Sequence, residues 1–142
     1  MTPTGMRMVM LIDDEPAQQR LVSALASRAG WRTVFAADSE TAIATLGTRD
    51  GMMLDAVLLD HSMHSDEAVA LIREIKARRQ ALPILMLTAV SDVGMAVEAM
   101  RAGATDFLVK PIAPDRLLGA LDAAVDDQLA SGELRPLTEK IS

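Results

Sequence analysis

Apolar residues in this chain fall into short unbroken runs, separated by longer stretches in which they recur every three or four positions. The runs are Met8 to Ile12, Thr33 to Phe35, Ala56 to Leu59, Ile84 to Leu87 and Phe107 to Val109. Four of the five are apolar almost throughout, as strands covered on both faces of a parallel sheet are. The stretch from Trp31 to Phe35 is more mixed and predicts an edge strand. Between the runs, helical stripes appear: Leu21, Val22, Leu25 and Ala29; Ala42, Ile43 and Leu46; Ala68, Leu71, Ile72 and Ile75; Val93, Ala96, Val97 and Met100; and Leu117, Leu118, Leu121, Ala124 and Val125. Each predicts a helix with one face on a core. Gly30, Gly47 and Gly103 fall just past predicted helix ends, where left-handed backbone is wanted. Pro16 stands at a first helical position and Pro83 precedes a strand. Strand followed by helix, five times over, predicts an α/β sheet with right-handed crossovers.

The periodicity stops after about Gln128. Residues 1–6 therefore read as a flexible start, 7–127 as the folded domain, and 128–142 as a linker, containing Ser131-Gly132 and Arg135-Pro136, toward an effector outside this chain. With 142 residues, one domain buries roughly two thirds of its unfolded surface. Aromatics make up only 2%, so Leu, Ile, Val, Ala and ten Met residues must fill the core. The net charge of −6 argues against direct nucleic-acid binding, which needs a basic face. No apolar run approaches the roughly 20 residues of a membrane span. The absence of cysteine fits a reducing compartment, and no signal-peptide pattern opens the chain, so a soluble cytoplasmic domain is expected.

Candidate chemistry lies where the predicted strands end, because ligands of open α/β sheets bind beyond the carboxyl edge. The first strand runs into Asp13-Asp14-Glu15, the third into Asp60, the fourth into Thr88-Ala89 and the fifth into Lys110-Pro111. Each has an ordinary role on its own: acids cap helices, threonines occupy strands and lysines face solvent. Together they place carboxylates, a hydroxyl and an ammonium on one sheet edge. Clustered carboxylates are tolerated if a hard cation binds among them, and Mg²⁺ takes a few carboxylates together with water and phosphate oxygens. One carboxylate could then attack phosphorus to form an acyl phosphate, while Thr88 and Lys110 hold the other phosphoryl oxygens. Glu15 is expected to be the outer, helix-capping acid.

These residues resemble the receiver domain of two-component response regulators. The likeness spans roughly Arg7 to Asp127 and rests on four motifs in order: Leu11-Ile12-Asp13-Asp14-Glu15, Leu58-Leu59-Asp60, Met86-Leu87-Thr88-Ala89, and Gly103 through Pro111. It implies a doubly wound (βα)5 flavodoxin-like fold with a five-stranded parallel sheet in the order 2-1-3-4-5. It also implies that Asp60 accepts phosphate from a partner histidine kinase. Asp13, Asp14, Asp60 and the backbone carbonyl of Ser62 would hold Mg²⁺, and Thr88 and Lys110 would contact the phosphoryl group. Phe107 matches an aromatic switch position, and Lys110-Pro111 a cis peptide bond. Met95 to Ala104 resembles receivers of transcription regulators, which implies a transcriptional output. Phosphorylation of Asp60 would pull Thr88 inward and let Phe107 rotate behind it, altering the predicted fourth helix, fifth strand and fifth helix, the face expected for a homodimer or effector docking. His64 and Ala68 depart from the usual proline and glycine of the loop after Asp60.

Two other readings compete. A Mg²⁺-dependent phosphohydrolase resembling haloacid-dehalogenase-type enzymes would also use Asp60 as nucleophile, but it needs a second Asp where this chain has Ser62. A pseudo-receiver would keep the fold as a binding module without phosphorylation, yet Asp13, Asp14, Asp60, Thr88 and Lys110 are all present. A small phosphodonor separates the three by stoichiometric labelling, continuous turnover or no reaction. The first outcome is expected, from a domain that is not an enzyme beyond phosphoryl transfer to itself and its own dephosphorylation.

Overall fold

The computed structural model describes residues 7–60, 65–89 and 93–126. Strands and helices alternate: β1 (Arg7–Ile12), α1 (Pro16–Arg28), β2 (Trp31–Ala36), α2 (Ser39–Leu46), α3 (Arg49–Met52), β3 (Ala56–Asp60), α4 (Ser65–Arg78), β4 (Ile84–Thr88), α5 (Val93–Ala102) and β5 (Asp106–Val109). A last helix, α6, covers 114–126. The five strands form one parallel sheet in the order β2-β1-β3-β4-β5, the doubly wound flavodoxin-like arrangement expected from the sequence. β3 and β4, apolar on both sides, are buried at every position. The predicted edge strand is β2, whose burial is intermittent.

Because side chains alternate across a strand, the sheet has two separate cores. Met10, Ile12, Val57, Leu59, Ile84 and Met86 face α2, α4 and α5. Val9, Leu11, Leu58, Leu85, Leu87 and Leu108 face α1 and α6. All strands run the same way, so their carboxyl ends collect at one edge. The start of β1 and the end of α6 lie at the opposite edge.

Some expectations change. On α1 the buried face is Val22 and Ala26, whereas Leu21 is 55% exposed and Ala29 is exposed as well. Leu21 instead overhangs a groove of about 430 Å³ between α1 and α6, lined also by Leu25, Ile112 and Leu117. On α5 the core face is Met95, Ala96 and Ala99, which leaves Val97 46% and Met100 38% exposed. The helix has turned by about one residue from the predicted stripe, so two of its apolar residues look outward.

The one-turn helix α3 was not predicted, since four residues are too few to show a period. It abuts α2 so closely that a Cβ on Gly51 would clash with the Thr45 carbonyl and with Leu46. Arg79, at the end of α4, fastens the same region by donating from Nη1 to the Gly51 and Leu54 carbonyls at 2.8 and 3.0 Å. Gly30 and Gly103 take positive φ values of 84° and 123°, as expected past helix ends. Gly47 does not, because its φ of −83° continues the helical turn into Thr48, which caps α3. Among the described residues no helix is long and apolar enough to cross a membrane.

Candidate functional site

Beyond the carboxyl edge, the sheet order decides which strand-end residues meet. β1 and β3 are neighbours, so Asp13, just past β1, stands beside Asp60, the last residue of β3. β4 and β5 follow, ending in Thr88 and just before Lys110. Asp13, Asp60 and Thr88 are the buried polar residues among those described.

Asp13 is fixed on several sides. Its amide donates to the Ala36 carbonyl on β2 at 2.9 Å, and its Oδ1 accepts from the Glu15 amide at 3.0 Å. Its own carbonyl accepts from Nε2 of Gln19, on α1, at 2.8 Å. Burial, and then the charge and hydrogen bonding of Asp60, hold the Asp13 carboxyl above its ordinary 3.8, while the Glu15 amide and the Lys110 ammonium pull it down. Glu15 occupies the N-cap position of α1 but makes no side-chain capping bond. The capping role expected of it falls instead to Asp13, whose carboxylate reaches forward over the start of the helix.

Lys110 comes from the far side of the site. Its Nζ donates to Asp60 Oδ1 at 2.8 Å and lies 2.7 Å from Oδ2. The second distance is an ion-pair approach without hydrogen-bond alignment, so Oδ2 is buried and accepts no hydrogen bond. Thr88 is fully buried, with Oγ1 donating to the Ala89 carbonyl at 3.3 Å. Phe107 is half-buried on β5 and packs against the α2–α4–α5 core. The Lys110–Pro111 peptide is cis.

Other expected members are not gathered here. Asp14 is exposed, and among the described residues no three carboxylate or imidazole groups stand close enough to chelate one metal. Ser62, along with His61 and His64, lies outside the described residues; Ala68 is buried in α4. Even so, the donor set suits a hard divalent cation. Two buried carboxylates adjoin, one of their oxygens lacks a hydrogen bond, and the partly exposed Lys110 is the cation that offsets them. Gln19 escaped sequence reasoning, although a polar side chain in the first turn of α1, four residues past the N-cap, can reach back to the preceding strand end.

A parallel sheet in this order, with an aspartate on the central strand and a lysine two strands away meeting beyond its carboxyl edge, is the architecture of a signalling receiver. The chain belongs to the response regulator receiver domain family, whose model matches residues 9–122. It is 34% identical over 128 residues to the transcriptional regulatory protein ZraR of Salmonella typhimurium, covering 90% of this chain and 28% of that protein. Against the transcriptional regulatory protein FixJ of Bradyrhizobium diazoefficiens the identity is 33%, over 82% of this chain and 56% of the relative. The chain thus spans only part of these relatives. Among solved structures, the receiver domain of NtrX from Brucella abortus superposes with a TM-score of 0.74 at 32% identity, over 83% of this chain and 98% of that one.

Proposed function

We propose that this receiver domain is phosphorylated on Asp60 by a histidine kinase, with Mg²⁺ bound, and that the modification drives a transcriptional output. The observation that carries this reading is the buried Asp60 carboxylate, held by Lys110 at the end of the central strand with one oxygen accepting no hydrogen bond. A carboxylate oxygen attacks the phosphorus of the kinase phosphohistidine. The new O–P bond forms as the P–N bond breaks, and the imidazole leaves with the bonding pair. Mg²⁺, when bound, offsets the charge of the carboxylates and of the incoming phosphoryl oxygens. Asp13, Asp14 and Asp60 would hold it, with the Ser62 carbonyl as a further ligand; Asp14, exposed, would have to turn inward.

Lys110 is placed to follow the charge. Its ammonium neutralises the Asp60 carboxylate before the reaction and is within reach of a phosphoryl oxygen afterwards. Thr88 supplies a hydroxyl to another oxygen, and its movement opens space beside β5 for Phe107. Rotation of Phe107 would alter the face formed by α5, β5 and α6. That face already exposes Val97, Met100 and Val109, apolar area suited to self-association or effector docking. ZraR and FixJ are transcriptional regulatory proteins by name, which supports a transcriptional output from a longer cytoplasmic protein in which residues 7–127 are the receiver and 128–142 lead toward an effector. Apart from phosphoryl transfer to itself and loss of that phosphate, the domain would catalyse nothing.

The test is incubation with a small phosphodonor, acetyl phosphate, and Mg²⁺. One acid-stable, alkali-labile phosphate per chain on Asp60 supports the reading. Continuous turnover would favour a phosphohydrolase, and no incorporation a pseudo-receiver.

A further inference from the structure

We infer that Gln19 is a positioning residue for the phosphorylation site: by bonding the main-chain carbonyl of Asp13, it fixes where the Asp13 carboxylate stands and so sets the affinity for Mg²⁺. The inference rests on the Mg²⁺ reading above.

Asp13 is the first residue beyond the β1 ladder. Its amide is still tied to β2 through Ala36, but its carbonyl has left the sheet. α1 begins only three residues later, at Pro16, which brings no amide hydrogen. Among the described residues the donor to that carbonyl is the side chain of Gln19, at 2.8 Å. Asp13 is 4% exposed, so water is a poor substitute, and a buried carbonyl without a donor turns toward one. The Asp13 peptide shares its Cα with the carboxylate, so such a turn would move the carboxylate relative to Asp60.

With Gln19 in place, the amide of Asp13 is held by β2, its carbonyl by α1, and Oδ1 by the Glu15 amide. The ligand then has little freedom left to lose when a cation binds. Outer hydrogen bonds of this kind orient metal ligands, and their loss typically weakens binding about 10–100-fold. The residue type fits as well. A neutral amide donates without adding charge beside two carboxylates. A glutamate at this position could not donate.

Calorimetric titration of the whole 142-residue protein with MgCl₂ tests this. Gln19→Met and Gln19→Leu, which keep bulk and helix propensity but cannot donate, should each raise the Mg²⁺ Kd about tenfold. Gln18→Met is the control, because Gln18 is adjacent but lines the α1–α6 groove; its Kd should stay within about twofold of wild type. In metal-free buffer the Glu15 amide, bonded to the Asp13 carboxylate, should exchange its hydrogen about tenfold faster in the Gln19 variants. A Gln19 variant with the wild-type Kd, or a loss shared equally by Gln18→Met, overturns the inference. If the wild-type protein takes up no Mg²⁺, the Mg²⁺ reading fails separately. The Glu15 amide then decides for Gln19: faster exchange in the variants upholds its positioning role, and unchanged exchange refutes it.

Discussion

Lys110 bridges to Asp60 across the intervening strand β4, placing one ammonium within 2.8 Å of both carboxylate oxygens. Neighbouring strands are about 4.8 Å apart, so the Lys110 and Asp60 side chains together bridge the two spacings between β5 and β3. A shorter cation at this position would not reach. The pair joins an Asp60 side chain only 4% exposed to a Lys110 side chain 37% exposed. The negative end is therefore enclosed by the fold, while the positive end is open to solvent.

Asp60→Asn is expected to fold normally and incorporate no phosphate from acetyl phosphate, since the amide is a poor nucleophile. Lys110→Met, keeping the stem without the charge, should still be labelled but about 10²-fold more slowly, the scale for removing one donor from a developing oxyanion. Mass spectrometry of intact protein against time reads both. Labelling of Asp60→Asn at the wild-type level would place the nucleophile elsewhere.

The elevated Asp13 carboxyl makes stability depend on pH. Its folded pKa lies above the ordinary 3.8, so the native state holds the proton more tightly than the unfolded chain does. The contribution is fully present below about 3.8 and is lost as pH rises through the folded value. In metal-free buffer, Asp13→Asn, whose amide oxygen can still accept from Glu15, should therefore gain on wild type as pH rises above the ordinary 3.8 and level off once the folded value is passed. Mg²⁺ should raise the wild-type melting temperature and shrink that gap, because binding to the native state alone at about 100 Kd adds roughly 2.7 kcal/mol. Urea unfolding at several pH values reads the effect; a gap that narrows with pH would contradict it.

Beryllofluoride, a phosphoryl mimic, should move the protein toward a dimer when Mg²⁺ is present. Thr88→Ala should still take up phosphate but dimerise less, if the Thr88 hydroxyl couples the phosphoryl group to Phe107 as proposed. Val97→Asp, at an exposed position on α5, should accept phosphate at the wild-type rate yet remain monomeric. Light scattering distinguishes these outcomes. Full dimerisation of Val97→Asp would move the interface to another face.

Gly51→Ala should destabilise the fold by about 2–4 kcal/mol, because the added methyl meets the α2 backbone rather than a side chain that can turn aside. Equilibrium unfolding in urea measures this. The proposed phosphorylation site, Asp60, lies at the other end of the sheet, so labelling of the folded fraction should not change.

β3 and β4 were legible because burial on both faces leaves no polar position before their last residue: Val57, Leu58 and Leu59 are each fully enclosed. The residues that end the strands were legible because a strand end in a parallel sheet is an address, and Asp13, Asp60, Thr88 and Lys110 all occur there. Helix rotation was less so. Leu21 and Val97 share the period of buried neighbours, but which of two adjacent apolar residues faces the sheet depends on how the helix settles against its neighbours, not on spacing. α3, at four residues, is too short for its period to repeat. The main-chain contacts of Gln19 and Arg79 left no trace in the pattern, because a carbonyl acceptor is present at every residue and carries no sequence signature.

One consequence of the uniform strand direction concerns attachment. Arg7 enters β1 and residue 126 leaves α6 at the edge remote from Asp60. A fluorescent tag or tether grafted directly onto Arg7 or residue 126 would start from the base of the domain, away from the carboxyl edge that holds Asp60. The Asp60 edge and the two chain exits therefore point to opposite ends of the sheet.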